Sequence, residues 1–486
     1  MFDVVSVKEI KAAEAQAAAY GLNEDMLIEN AAAAIKQAVC SLTEPHDRVC
    51  VLCGGGNNGA DGLSAARQLH LAGRNVSIVC VSERENGAAK ARHDACVRLG
   101  VPVVAAEFFR PQEYALIVDA MLGTGCDRPL AGTVREIAER LNDADVFTLS
   151  ADIPTGLNAD TGETDCAVIA NQTLTFSCVK TGQIVGEGRN YCGDLVVADI
   201  GVRAAGAVKA ITGDDLPLLQ RKPVSHKYNY GRVRVIAGSP TMIGAALLAH
   251  ESALAALRSG AGLATLCVPL SLAAAYQARV KEETLCFLPD KNGRIVFDAP
   301  SLDALFDKTG AILLGPGLGE NEDLCKIIGY IAARFTGTLV LDADGLNAVA
   351  GHSDCLNGHM CKLILTPHMG EFARLTAGFD FPPFAAVTDK VRALAQKLNA
   401  VVAAKSATTV ISDGENVYLN TTGTPALSKG GSGDVLGGMI AAFACRYDPL
   451  AAVLRGCYHF GKCAEVAEKA FGRESLLASD VIVKSV

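Results

Sequence analysis

RVCVLCGGGNNGADGLSAARQLHLAG, residues 48–73, decides the fold class. After Arg48 the first residues are apolar and uncharged, which predicts a strand buried on both faces. Gly54, Gly55 and Gly56 interrupt it. From Gly62 an Ala- and Leu-rich run predicts a helix. NVSIVCV, residues 75–81, then predicts a second strand. Strand, glycine turn, helix and strand make a crossover unit, and crossover units build parallel sheets covered on both faces.

The same alternation extends in both directions. Upstream, Ser6–Ala19 places small and apolar residues at helical spacing. Downstream, YALIVDA (114–120), VFTLSAD (146–152) and LTFSCV (174–179) predict further strands. Residues 211–230, ITGDDLPLLQRKPVSHKYNY, hold two prolines, several charges and no clear period, and predict a linker. Alternation restarts with VRVIAGS (233–239), LATLCVP (263–269), AILLGPG (311–317), TLVLDAD (338–344), LILTPH (363–368) and TTVISDG (408–414). The expectation is an α/β protein of two domains, residues 1–215 and 222–486, in line with a length of 486 residues.

Composition narrows the function classes. A net charge of -9 without any basic run argues against nucleic acid as a partner. No stretch reads as a signal peptide or a membrane span. The 17 cysteines are scattered without disulfide spacing, which predicts reduced thiols and a cytoplasmic location. Cys50 and Cys53 form a literal CxxC, yet both lie in a predicted strand with no second pair at zinc-ligand distance.

In the first half, Gly54, Gly56 and Gly59 form a GxGxxG between strand and helix, and Glu83 follows at the distance of a ribose-binding acid. A plain turn would need no side chains here. Asn57, Asn58 and Asp61 instead offer oxygens to a cation or to hydroxyls. Asp119 and Asp152 end two further strands and are followed by GTG (123–125) and PTG (154–156). Carboxyl ends of parallel strands share one edge, where ligands bind, so Asn58, Asp119 and Asp152 are expected to converge.

GGGNNGADGL, DAMLGTG and DIPTGL, in this order and spacing, resemble the NAD(P)H-hydrate epimerase family over nearly all of residues 1–210. The resemblance implies a Rossmann-like domain acting on NADHX or NADPHX, hydrated at C6 of the nicotinamide ring. It implies potassium on Asn58, Asp119 and Thr155. It implies substrate contacts from Asn57, Asn58, Gly59, Ala60 and Asp61, from Gly123, Thr124, Gly125, Cys126, Asp127, Arg128 and Pro129, and from Asp152, the expected acid–base residue. Ala60 departs from the glycine usual in that family.

In the second half, Lys429–Gly438, KGGSGDVLGG, predicts a glycine loop feeding a helix, a cradle for anionic oxygens. An acid at such a helix start is poorly placed to hold phosphate, but it suits a base that takes a proton from a hydroxyl nucleophile. Asp434 is that candidate. GCYHFGKC (456–463) ends in Cys463 and reads as helix, so it is no Walker loop. HKYNYGRVRVIAGS, SGAGLATL, GPGLG, DADGLN, TPHMGE and GGSGDVLGG together resemble the ADP- or ATP-dependent NAD(P)H-hydrate dehydratases, which are ribokinase-like. The resemblance implies Asp434 as catalytic base. It places Lys405, Ser406, Ala407, Thr408, Thr409 and Gly433 on the nucleotide, and Ala245, Gly317, Gly319, His368 and Asp434 on the hydrated dinucleotide. Ser406 stands where glycine is commoner. ATP or ADP as co-substrate, Mg2+ and a homo-oligomer are expected. The alternative is a vitamin-precursor kinase fused to a noncatalytic NAD-binding or RNA-binding domain.

Overall fold

The computed structural model describes residues 1–82, 87–218, 220–240, 243–382 and 385–483, with residues 243–249 described by backbone alone. Glu83 lies outside the described residues, as does the side chain of Ala245. The chain divides into two compact units, Asp3–Val208 and Lys209–Val486, with Met1–Phe2 joined to the second.

The first unit holds strands β1 (Phe2–Val5), β2 (Val49–Cys53), β3 (Val76–Cys80), β4 (Leu116–Ala120), β5 (Phe147–Ala151), β6 (Gln172–Phe176), β7 (Val179–Lys180) and β8 (Asp194–Ala198). Its sheet runs β3-β2-β4-β5-β6-β8 and every pairing is parallel. Val49 and Val51 enter one apolar cluster and Cys50 and Leu52 another, so β2 is buried on both faces. That alternation sends Cys50 and Cys53 to opposite faces, and neither forms a disulfide. The helix Val7–Ala19 starts at Ser6, whose hydroxyl accepts from Glu9 N–H at 3.2 Å while Glu9 receives Ser6 N–H at 2.7 Å. Order reverses at β2 and β4, with β3 on one side and β5 on the other, and their carboxyl ends open the crevice typical of such sheets.

The second unit holds β9 (Val208–Ala210), β10 (Arg232–Ile236), β11 (Leu263–Pro269), β12 (Thr284–Leu288), the hairpin β13 (Asp290–Lys291) and β14 (Arg294–Ile295), then β15 (Ala311–Leu314), β16 (Thr338–Leu341), β17 (Lys362–Leu365), β18 (Val401–Ala404), β19 (Thr409–Ser412) and β20 (Val417–Asn420). Here the sheet order is β12-β11-β10-β15-β16-β17-β18-β19-β20-β9. Pairings from β12 to β18 are parallel, and β19 is antiparallel to both neighbours. Glycine lets helices close on this sheet. A Cβ at Gly438, in the helix Ser432–Ala444, would meet Ser252 O at 2.1 Å, in the helix Ile243–Arg258. GCYHFGKC lies inside the helix Pro449–Phe471.

The expected linker is not an open connector. Ile211 and Leu216 are buried in the second unit's core, and Tyr230 is buried too. The division between Val208 and Lys209 therefore falls ahead of the expected ends at 215 and 222. Ile211 and Leu216 flank the short 3-10 turn Gly213–Asp215, and Tyr230 ends another, Lys227–Tyr230, so their burial follows no readable period. Among the described residues no helix is long and apolar enough to cross a membrane.

Candidate active sites

In the first unit, the loops after β2 and β4 touch because Gly54 lacks a side chain: a Cβ there would lie 1.8 Å from Met121 O. The helix Asn57–Leu71 begins at once, with Gly56 as its cap. Its first N–H groups have no partner within the helix and suit anionic oxygens. Beside it is a cavity of about 610 Å³. Asn57, Asn58, Asp61, Gly123, Thr124, Gly125, Cys126 and Asp152 all line it, and so do Glu14 and Lys180. Gly59 and Ala60 are buried behind this wall, and Asp127, Arg128 and Pro129 are not among the lining residues. Ala60 sits in regular helix, with its N–H bonded to Gly56 O at 3.0 Å, so its methyl strains nothing.

Asn58, Asp119 and Thr155 do come together, through the chain at Leu122. Asn58 Nδ2 donates to Leu122 O at 3.0 Å, and Leu122 N–H donates to Thr155 Oγ1 at 2.9 Å. Thr155 Oγ1 in turn donates to Asp119 Oδ1 at 2.6 Å. Asp119 is fully buried and also accepts from Thr155 N–H and Ser150 Oγ, both at 2.9 Å. Burial raises its pKa against these hydrogen bonds. Asn58 Oδ1 is buried and has no hydrogen-bond partner among the described residues. An unclaimed oxygen beside a buried carboxylate fits a monovalent cation held by oxygens.

Asp152 has a left-handed backbone (φ 65), rare for a residue with a side chain. It is held there by Leu174 O, which accepts its N–H at 2.9 Å, and by Gln183 Nε2, which donates to its carbonyl at 2.7 Å. Its Oδ1 accepts from Phe176 N–H at 3.1 Å and from Lys180 Nζ. Lys180 is 1 % exposed, and its ammonium also donates to Thr175 Oγ1 and Phe176 O, both at 2.9 Å. Among the described residues no donor reaches Oδ2. Lys180 escaped the sequence reading. Its one signal was a charge directly after the apolar run LTFSCV.

In the second unit, β15, β16, β17 and β18 deliver GPGLG, Asp342, His368 and Lys405 to one edge. Lys405 N–H donates to Pro367 O at 2.7 Å, and His368 and Lys405 bridge in parallel. Lys405 Nζ donates to Asp342 Oδ1 at 2.7 Å, and Thr366 Oγ1 donates to the same oxygen at 2.9 Å. Burial alone would lower Lys405, but Asp342, Glu371 and Asp434 hold it above its ordinary value. Asp434 is in the first turn of the helix Ser432–Ala444, after Gly431 in left-handed conformation (φ 92). Burial first, then Asp342, push its carboxyl up to about 7; Lys405 opposes, and Asp344 and Glu371 add. A Cβ on Gly433 would lie 3.2 Å from Lys405 Nζ, so the bare backbone lets the lysine approach this helix start.

Gly317 (φ 61) and Gly319 (φ 64) lie in the GPGLG turn, where Gly319 N–H donates to Asp344 Oδ2 at 2.7 Å. His368 is exposed and caps the helix Met369–Leu375, with its N–H bonded to Glu371 Oε2 at 2.9 Å. Ser406 and Ala407 are exposed, whereas Thr408 and Thr409 are buried at the start of β19. Ser406 Oγ closes this turn on Thr408 O at 2.6 Å. Asp342 and Glu371, absent from the expected site set, are both buried within it.

The profile of the NAD(P)H-hydrate dehydratase family matches residues 233–485, and that of the YjeF-related protein N-terminus matches residues 24–182. The bifunctional NAD(P)H-hydrate repair enzyme of Thermofilum pendens is 34 % identical over 97 % of this chain and 93 % of its own. That of Pyrobaculum aerophilum is 36 % identical over 98 % and 95 %. The ADP/ATP-dependent NAD(P)H-hydrate dehydratase from Bacillus subtilis, co-crystallized with ATP/Mg2+, is 31 % identical with a TM-score of 0.48, covering 57 % of this chain and 96 % of that one.

Proposed function

This chain belongs to the family of bifunctional NAD(P)H-hydrate repair enzymes, and from that premise we propose that its two sites divide the repair. The first unit's cavity interconverts the R and S forms of NADHX and NADPHX. The second unit dehydrates the S form at Asp434, using ATP or ADP. The observation that carries this reading is Asp434 itself, a carboxyl raised to about 7 at a glycine-loop helix start. A group poised near neutral pH is matched to taking a hydroxyl proton.

In the dehydratase, Asp434 takes the proton of the C6 hydroxyl as that oxygen attacks the terminal phosphoryl group. Phosphate then leaves C6 with the bond pair, C5 gives up a proton to the departing phosphate, and the ring double bond returns. The amides around Gly433 stabilise the transferring group's charge. Lys405, tied to Asp342, acts by its charge and leaves the reach to Ser406 and Ala407, which the exposed turn presents to the nucleotide. Gly317, Gly319 and His368 face the dinucleotide from the neighbouring strand ends. Among the described residues no three His, Cys, Asp or Glu side chains are grouped to hold a metal. Mg2+ commonly rides on substrate phosphates with one or two carboxylates, a role Asp344 and Glu371 would fill.

In the epimerase, Asp152 is the base, its Oδ1 fixed by Lys180 and its Oδ2 open to the cavity. Asn58, Asp119 and Thr155 would hold potassium, which would supply a positive charge beside the buried Asp119. We place the enzyme in the cytoplasm, a reading supported by its 17 free cysteines. A homo-oligomer is supported by the exposed Val196 and Val197 on the edge strand β8.

Incubation with mixed NADHX epimers and ATP or ADP tests the whole reading. Complete recovery of NADH absorbance with release of free phosphate is expected. A phosphorylated product that accumulates instead would establish the kinase alternative.

A further inference from the structure

We propose that Asp61 is the acid partner of Asp152 in epimerisation, donating from the helix Asn57–Leu71 while Asp152 accepts from the end of β5. This rests on the epimerase reading of the first unit. Both side chains line the one cavity from different elements. Asp152 is paired with the buried Lys180, and its Oδ1 also accepts from Phe176 N–H at 3.1 Å. Asp61 has the opposite surroundings. It is 9 % exposed, and among the described residues no hydrogen-bond donor reaches its carboxyl.

The groups acting on Asp61 are Asp152, Glu14, Glu24 and Arg92. The one cation among them is committed elsewhere: Arg92 donates to Asp25 at 2.9 Å, to Ser64 Oγ at 3.0 Å and to Ala88 O at 3.2 Å. Burial, and then the charge of Asp152, push Asp61 well above the usual carboxylate range. A buried carboxyl without donors is most stable as the neutral acid, which has a proton to give. A carboxyl bonded to an ammonium and a desolvated one without donors divide into base and acid.

Inversion at C6 needs both. Asp152 takes the proton of the C6 hydroxyl as the C6–N1 bond breaks. The bond pair goes to N1, which receives the proton of Asp61, and C6 becomes an aldehyde. Rotation about C5–C6 presents the other carbonyl face. N1 then attacks it, returning its proton to Asp61, while the new oxygen recovers a proton from Asp152. Nothing is oxidised or reduced, and no co-reactant is consumed.

The test is steady-state epimerisation by the full chain across pH, with pure R-NADHX as substrate. Wild type should lose activity at alkaline pH as Asp61 ionises. Asp61→Asn should lower kcat about 100-fold or more with little change in KM, and its residual rate should not show that alkaline fall. Asp61→Glu, which keeps a proton donor, should recover part of kcat and the alkaline fall. The proposal is overturned if Asp61→Asn changes only KM, keeps kcat within about threefold of wild type, or is matched by Asp61→Glu. Wild-type chain that leaves the R form untouched would instead defeat the epimerase reading itself.

Discussion

At the scale of the residue, both sites rest on carboxyls whose neighbours set their protonation. Asp434 shares its surroundings with Asp342, Asp344, Glu371 and Lys405, and the balance leaves it near 7. A base works when ionised. Dehydration should therefore rise with pH through about 7 and fall below it. Asp434→Asn keeps the shape of the helix start and cannot accept the proton. The rate should drop by about two to four orders of magnitude, while nucleotide binding, measured calorimetrically, survives. Were Asp434 only a helix-start acid, the same change would be mild. Asp434 was legible because its glycine context is local. Asp342 lies in the run TLVLDAD, but nothing local marks it as the partner of Lys405, which lies 63 positions away.

At the scale of the element, glycine marks where chains must approach. Gly438 was quoted in the sequence only as part of a loop-to-helix motif, yet its work is packing. The helix Ser432–Ala444 is almost wholly buried, and Gly438 is where it meets Ser252 O. Gly438→Ala would place a methyl 2.1 Å from that carbonyl, so backbone must shift. A loss of about 1–3 kcal/mol is expected, read as a lower unfolding midpoint of the second unit. An unchanged midpoint would mean the two helices separate freely. Strands were legible where apolar runs were continuous, as in β2 and β15. Within residues 211–230 the burial of Ile211, Leu216 and Tyr230 was not legible, because each is buried singly in or beside a short 3-10 turn with no periodic face.

At the scale of the whole molecule, each unit has its own apolar core and its own candidate site. Residues 1–208 and 209–486, expressed separately, should each fold and keep one activity, epimerase in the first and dehydratase in the second. Insoluble, inactive fragments would refute that independence. Asp119→Ala in the full chain should weaken potassium dependence and affinity by about 10–100-fold in the epimerase assay, leaving dehydration of pure S-NADHX unchanged. Epimerisation indifferent to both the substitution and potassium would end the cation assignment. By itself the amino-acid sequence determined the α/β class, the strand–glycine–helix units, and the placement of Asn58, Asp119, Asp152 and Asp434 at strand ends or helix starts. Those features arise from apolar period, glycine and capping chemistry acting within about 20 consecutive residues. Only the tertiary structure decided that Lys180 turns inward onto Asp152, that Lys405 is spent on Asp342, and that Asp61 has no donor among the described residues. Pairing and desolvation depend on which strand ends the sheet order brings side by side, and sheet order is a property of the assembled core, not of any one segment.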